Sequence, residues 1–494
     1  MDVRHRDDLA IPGVRVKVLN DAPVNGAGEF VLYWMIAYRR TTWNYSLQRA
    51  VEWSRQLRKP LVVLEPLRCG YRWASDRLHR FVLDGMAANA RRLEDTGAFY
   101  YPYVEPHPDD GKGLLSALAL RACVAVTDDF PAFFLPRLVE AASRQLSIRL
   151  EQVDSNGLLP LSCADRLFAT AFDFRRFLQK TLLPHLLEPP EADPLAGVVL
   201  PRLSALPPMI GERWPRPPHG LLIGNAQTLA TLPIDHSVPV VKIRGGSAAA
   251  EATMRRFLDD RLERYAEARN QPEEEVTSEL SPYLHFGHIS VHQVFAELMD
   301  REGWSIANLA PAAAGRRSGW WGVSRSAEAF LDQLVTWREL GFNMCRRQED
   351  YDRLESLPDW ARQTLSEHAN DPRPHLYTLE QLETARTHDP LWNAAQTQLV
   401  REGRIHNYLR MLWGKKILEW SPSPHDALEV MLELNNKYAL DGRDPNSYGG
   451  ILWCLGRYDR PWPERRLFGK VRYMSSHNTA RKFKVDGYVR RYAP

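Results

Sequence analysis

Hydrophobic and polar positions change rhythm twice along this chain of 494 residues. In the first part, short apolar runs alternate with amphipathic stretches. EFVLYWMIAY, PLVVLEPL, AFYYPYVE, ACVAVTDD and IRLEQVDS are rich in β-branched and aromatic residues and read as strands. NYSLQRAVEWSRQL and SDRLHRFVLDGMAANARRL, lying between them, repeat their apolar residues at helical spacing. Strand–helix alternation predicts a parallel sheet with helices on both faces, over about residues 25–185. Ten of the chain's 35 prolines then fall between Pro184 and Pro218. Proline has no backbone donor and fixes its own φ, so residues 186–244 read as an interdomain linker rather than packed structure. From about 245 to 494 the pattern is helical almost throughout, as in AAAEATMRRFLDDRLERYAEARN, SAEAFLDQLVTWRELGFNM and HDALEVMLELNNKY. The expected architecture is α/β, then a linker, then all-α.

The length allows two or three domains, and 44% hydrophobic with 25% charged residues is globular. The opening MDVRHRDDLAIPG has no apolar run, so no signal peptide is expected. Nowhere do the roughly 18 apolar residues of a membrane span run together. The five cysteines, at 69, 123, 163, 345 and 454, form no C-x-x-C pair. That argues against a zinc ribbon or an iron–sulfur cluster and for a reducing cytoplasm. Net charge is only +3, but its distribution is uneven. From Arg465 to Pro494 nine Lys and Arg face one acid, Asp486, interleaved with Phe468, Tyr473, Phe483, Tyr488 and Tyr492. Such a stretch either neutralises phosphates and stacks on bases or is a solvated basic tail.

Several familiar chemistries fail. Gly26-Ala27-Gly28 precedes a strand, whereas a dinucleotide loop must follow one. Neither a P-loop nor a G-x-S-x-G elbow occurs. His285, His288 and His292 in HFGHISVH have helical spacing but no carboxylate or cysteine at a useful offset. They read as a capped polar helix face, and no metal is expected. The chain is rich in aromatics, with 15 Trp and 18 Tyr. A planar cofactor, stacked bases or electron transfer would each use them. RIHNYLRMLWGKKILEW sets Trp413 and Trp420 two turns apart on one helix face, about 10 Å along its axis. By itself that pair is either core packing or a conductor.

TSELSPYLHFGHIS (277–290) resembles the flavin-binding signature of the photolyase/cryptochrome family. NKYALDGRDPNSYGGILWCLG, RLFGKVRYM and HDPLWNAAQTQLVREGRIHNYLRMLWGKKILEW resemble its class II branch, the cyclobutane pyrimidine dimer photolyases. The likeness covers most of the chain and is densest in the helical part. It implies a Rossmann-like antenna domain and a helical domain holding FAD, with repair of pyrimidine dimers in DNA by blue-light electron transfer. It leaves room for a second, antenna chromophore of deazaflavin or folate type, and it implies a monomer.

Residue roles follow where the motifs match. Tyr265, Thr277, Ser278, Leu280 and Ser281 fall where the family holds the FAD phosphates and ribityl chain, although LSPYL also reads as a plain capped helix. Arg410 and Asp441 match the ion pair beside the isoalloxazine ring, and Asn435 the asparagine facing its N5. Asp444 and Asn446 continue that loop. The resemblance makes Trp413, Trp392 and Trp420 an electron wire, with Trp413 nearest the ring and Trp420 at the surface. The nearby lysines and arginines are then expected on the helix's wetter sides. A dimer within a duplex must be flipped out to react. Trp337 and Trp453 match the tryptophans that stack on it, and Met411 a methionine that packs on it. Gln333 departs from the pattern, standing where the family has a glutamate that hydrogen-bonds the dimer. Leu412 and Asn436 depart as well. These differences keep two alternatives open: a photolyase with altered lesion preference, and a cryptochrome-like blue-light photoreceptor. A light-independent nucleic-acid-binding protein on the same fold ranks third.

Overall fold

The computed structural model describes residues 11–493. The first ten residues, which carry most of the signal-peptide expectation, lie outside the described residues. Among the described residues no helix is long and apolar enough to cross a membrane.

Six strands form one sheet in the order β1-β6-β5-β2-β3-β4. They are β1 (Val16–Val18), β2 (Phe30–Trp34), β3 (Leu61–Leu67), β4 (Phe99–Val104), β5 (Ala122–Asp128) and β6 (Leu150–Val153). β2 to β6 are the five expected strands, and they pair in parallel. β1 was not expected. Three residues are too few for a periodic signal, and it joins the edge antiparallel to β6, with Val16 opposite Val153. β2, β5 and β6 are buried along their whole length, as a sheet covered on both faces must be. The Tyr45–Leu57 helix starts where Asn44 Oδ1 accepts from the N–H groups of Ser46 and Leu47.

Residues 186–244 are not a wandering linker. Leu195 and Leu200 are buried against one face of the sheet, Ile210 and Trp214 against the other. Leu221, Leu229 and Leu232 pack on Leu67 and Val82. The prolines punctuate the path and help begin short helices such as Pro208–Arg213, while the apolar residues between them carry the burial.

Two long expected helices are interrupted. Residues 248–270 run as a helix to Arg256, a π-turn over Phe257–Arg261, a 3₁₀ turn and a last helical turn from Tyr265. Residues 326–344 contain a second π-turn, Asp332–Trp337, between the helices Arg325–Leu331 and Arg338–Arg347. Apolar spacing does not register one inserted residue, and such turns gather at functional sites.

The three histidines do not share a helix face. The Ser281–His285 helix ends there, and Gly287 follows at φ +71°, where a Cβ would meet the Ala37 carbonyl oxygen at 2.1 Å. His285 pairs with Asp444, His288 Nδ1 accepts from the Gly246 N–H at 2.9 Å, and His292 lies edge-on to Tyr45. Sheet and helices are knitted together by buried polar contacts. Arg77 donates to the Tyr438 carbonyl at 2.7 Å, and Arg40 to that of Gly287 at 3.1 Å. The Glu339 carboxylate accepts from the N–H groups of Leu158 at 2.8 Å and Leu159 at 3.3 Å.

Candidate functional site: a cofactor and nucleic-acid cleft

A cleft of about 1140 Å³ opens in the helical region. Every residue matched to FAD or to the lesion lines it, apart from Asn435. On one wall the chain turns sharply between Thr277 and Ser281. Glu279 sits at φ +60°, in the left-handed region, and its carboxylate is held by Arg404 and by Arg261 at 3.3 Å. The turn leaves Thr277 and Ser278 half-exposed and Ser281 exposed on the lining, while Leu280 plugs the core beneath. Tyr265 stands edge-on between Phe257 and Phe330.

Arg410 donates to both oxygens of Asp441, at 2.9 and 3.2 Å. Burial pushes the Asp441 carboxyl up, but the Arg410 guanidinium and the Ser281 hydroxyl outweigh it and hold it below its usual range. Arg410 Nε is buried without a partner, and so are both ring nitrogens of His406, which lines the same cleft. Burial lowers His406 to about 4. Unpartnered buried donors beside hydroxyls and a large cavity suit a long, anionic, hydroxyl-rich ligand.

Asn435 is set one layer back. It is 1% exposed, and its amide donates to Ser447 Oγ at 2.9 Å, so Ser447 presents the lining there. Asp444 lines the cleft and also serves the fold. It caps the Pro445–Cys454 helix by accepting from the Asn446 N–H at 2.9 Å, and it pairs with His285 at 3.3 Å.

The opposite wall is built by the second π-turn. Within Asp332–Trp337 only Gln333 and Trp337 escape burial, and both line the cleft. Asp332 anchors the turn through Arg175 at 2.8 Å. Met411 and Trp453 also line the cleft, and Trp453 is flanked by two cations. Lys415 Nζ lies 5.0 Å from the Trp453 ring centre, and the Arg472 guanidinium 5.4 Å from it. Arg472 also covers Trp462 at 4.3 Å and is held by Asp459 at 2.7 Å. The expectation that lysines take the helix's wetter sides is overturned. Lys415 is 0% exposed and Lys416 7%, because the Asn407–Trp420 helix is buried on every side from Leu412 to Leu418. Burial lowers the Lys415 ammonium to about 8, while Lys416 pairs with Glu419 at 2.8 Å.

The basic C-terminal stretch divides its labour. Arg472, Lys482 and Arg491 reach the cleft, together with Tyr473. Tyr488 and Tyr492, although largely buried, also line it, while Phe468 is buried away from it.

Behind the cleft lie the three tryptophans. Trp413 donates from Nε1 to Gln396 Oε1 at 2.9 Å, and Trp392 from Nε1 to the Trp413 carbonyl at 3.1 Å. The Trp392 and Trp420 rings meet at 5.5 Å. Trp420 is not at the surface: it is 1% exposed, because the segment from His375 to His388 folds over it. That segment has no periodicity to announce its position. Sequence reasoning singled out neither Lys415 nor His406, for which only closeness in sequence to Trp413 and Arg410 gave any signal, and met Arg472 only as one of the nine Lys and Arg of the basic C-terminal stretch.

The fold is that of photolyases and cryptochromes. A class III photolyase from Agrobacterium tumefaciens matches with a TM-score of 0.64 at 18% identity, over 94% of this chain and 86% of its own. A Synechocystis cryptochrome matches with a TM-score of 0.63 at 16% identity, over 94% and 89%. No family model matches the chain. Whole-chain relatives are more specific. The deoxyribodipyrimidine photo-lyase of Methanothermobacter thermautotrophicus is 34% identical over 97% of both chains. Those of Oryza sativa and Potorous tridactylus are 36% and 32% identical, over 96% and 97% of this chain and 89% and 84% of theirs. The chain belongs to the deoxyribodipyrimidine photo-lyase family.

Proposed function

We propose that this protein repairs cyclobutane pyrimidine dimers in DNA with blue light, using reduced FAD held in the cleft. The observation that carries the reading is convergence: residues far apart in sequence, from Tyr265 to Trp453, line one cavity of about 1140 Å³. The residues present fit FAD, with unpartnered buried donors at Arg410 and His406 beside the hydroxyls of Thr277, Ser278 and Ser281. The chemistry asked of the bound flavin is the release and recovery of one electron.

The chain's own groups do the rest. Arg410, oriented by Asp441, puts a fixed positive charge where negative charge gathers on a ring. Trp337 and Trp453 receive a flipped-out dimer on their faces, and Met411 packs against it. Arg472, Lys482 and Arg491 at the cleft hold phosphates. Trp413, Trp392 and Trp420 carry electrons inward to reduce the flavin. On this reading residues 25–185 are the antenna-type domain, 186–244 the connection, and 245–494 the flavin- and DNA-binding domain. Five unpaired cysteines support a cytoplasmic protein, and the family resemblance is the ground for proposing a monomer.

Gln333 favours a second reading, a changed lesion preference, because an amide can hydrogen-bond a dimer but has no proton to share. The test is light-against-dark repair of an oligonucleotide with one thymine dimer, the flavin reduced beforehand, following the absorbance of restored thymines. Recovery in light alone supports the proposal. Flat traces from a flavin-loaded protein that binds the oligonucleotide overturn it for this lesion.

A further inference from the structure

Lys415 is a cation where packing alone would not place one. It is 0% exposed, and its Nζ is buried without a hydrogen-bond partner. Taking an ammonium out of water is costly unless it is paired. Its neighbour Lys416 is paired, with Glu419 at 2.8 Å. Arg472 is paired too, with both oxygens of Asp459 at 2.7 and 3.0 Å. What Lys415 has instead is the Trp453 ring, whose centre lies 5.0 Å from Nζ.

The helix sets its place. Lys415 follows Met411 by four residues, one turn further along Asn407–Trp420, so the two side chains share a face. Met411 and Trp453 line the cleft, and the ammonium sits behind the wall they form. The groups that bear on its charge are Cys454, on the Pro445–Cys454 helix, and Asp459 and Arg472 in the segment that follows. Burial pushes the Cys454 thiol up to about 11, so it is neutral at pH 7. Asp459 and Arg472 are engaged with each other. Burial therefore dominates at Lys415 and lowers it to about 8, which leaves it charged at pH 7. On the opposite wall Gln333 brings no carboxylate to offset it. A fixed charge in a dry site acts over distance, because little water screens it.

We propose that Lys415, acting through Trp453, supplies the positive charge that keeps the transferred electron on a bound pyrimidine dimer until the dimer has split. The inference rests on the repair reading above. One electron enters the dimer from the reduced flavin, the two C–C bonds that join the pyrimidines break, and one electron goes back. No atom or proton is gained or lost, and Lys415 keeps its proton throughout. Lys415 is a positioning residue: it touches Trp453 and not the dimer. Without the ammonium the electron returns sooner, before the bonds have broken.

The experiment measures repair per absorbed photon between pH 7 and pH 9.5, on protein loaded with reduced FAD and saturated with a thymine-dimer oligonucleotide. The yield should fall severalfold, with its midpoint near pH 8, as Lys415 loses its proton. Lys415→Met, similar in length and uncharged, should show the low yield already at pH 7 and no further fall. It should bind the oligonucleotide within about twofold of the unmodified protein. Lys415→Arg, which stays charged across this range, should hold its yield to pH 9.5. A second measurement needs neither light nor DNA. Lysine in the unfolded chain keeps its proton to higher pH than Lys415 does, so protonation favours unfolding. In denaturant unfolding the unmodified protein should therefore gain stability relative to Lys415→Met as the pH rises from about 8 to about 10.

A yield that stays flat with pH in the unmodified protein overturns the proposal, even where Lys415→Met does not fold. So does a Lys415→Met that repairs as well as the unmodified protein at pH 7, or a relative stability that does not move with pH. If the unmodified protein restores no thymines in light at pH 7, the repair reading itself fails, and Lys415 with it. If it repairs and only the Lys415 results are negative, this inference alone fails.

Discussion

Trp337 and Trp453 on the open wall of the cleft, and Trp392, Trp413 and Trp420 behind it, are one residue type in two settings. The open pair is half-exposed, and Trp453 has a cation on each flank in Lys415 and Arg472. The inner three are at most 1% exposed, and Trp413 and Trp392 place their indole N–H groups on neutral carbonyl oxygens. A cation near an indole makes removing its electron harder, and a neutral acceptor does not. On the proposed reading Trp453 is therefore suited to stack without being oxidised, and Trp413 and Trp392 to pass charge, while Trp420, with Lys416 5.4 Å from its ring centre, is the exception.

The largest contrast should appear in stability. Trp392→Ala opens a cavity in a fully buried site and should cost about 3–5 kcal/mol in denaturant unfolding. Trp453→Ala, at a half-exposed site, should cost about 1 kcal/mol or less. Equal losses would erase the distinction.

Acid should act on the interior next. Burial lowers His79 to about 4 and His288 to about 3, against an ordinary 6.5. Both folded values are depressed, so on acidification the unfolded chain takes up protons first. Stability is fully present above pH 6.5 and falls below it, by about 2 kcal/mol per histidine on going to about pH 5. His288→Gln, whose amide oxygen can still accept from Gly246, should remove that share of the slope. A variant with an unchanged pH profile would show that His288 is not held neutral.

Binding should single out the open wall. Trp337→Ala and Trp453→Ala should each weaken binding of a dimer-containing oligonucleotide by about 1–3 kcal/mol, read by fluorescence anisotropy. Trp392→Phe should leave it unchanged. The smallest effect is the most pointed. Gln333→Glu should alter the light-driven repair rate severalfold while binding stays within about twofold, or about 0.4 kcal/mol. A change in binding alone would give Gln333 a gripping role and no part in the chemistry.

Much of this was legible in the chain. Strands with dense β-branched and aromatic runs announced the sheet, and the motifs around Thr277, Arg410 and Asp441 reached the cleft wall. What escaped was whatever depends on a partner distant in sequence. β1 exists only because β6 offers it an edge. The proline-rich stretch looked like a linker because its backbone is irregular, yet Trp214 and Leu229 are as buried as strand residues. Lys415 looked solvent-facing because lysine usually is; its burial is set by the helices around it. The π-turn at Asp332–Trp337 left the apolar count intact and moved only the direction in which Gln333 and Trp337 point.

Glu339 follows that turn by two residues, and its carboxylate is fastened to the N–H groups of Leu158 and Leu159, where the chain has just left the last strand of the sheet. The orientation of the cleft-facing turn is thus inherited from the other half of the molecule. Exchanging either half for another sequence would therefore have to keep Glu339, whose acceptors meet backbone N–H groups, and Gly157, where a Cβ would meet the Glu339 carboxylate at 2.5 Å.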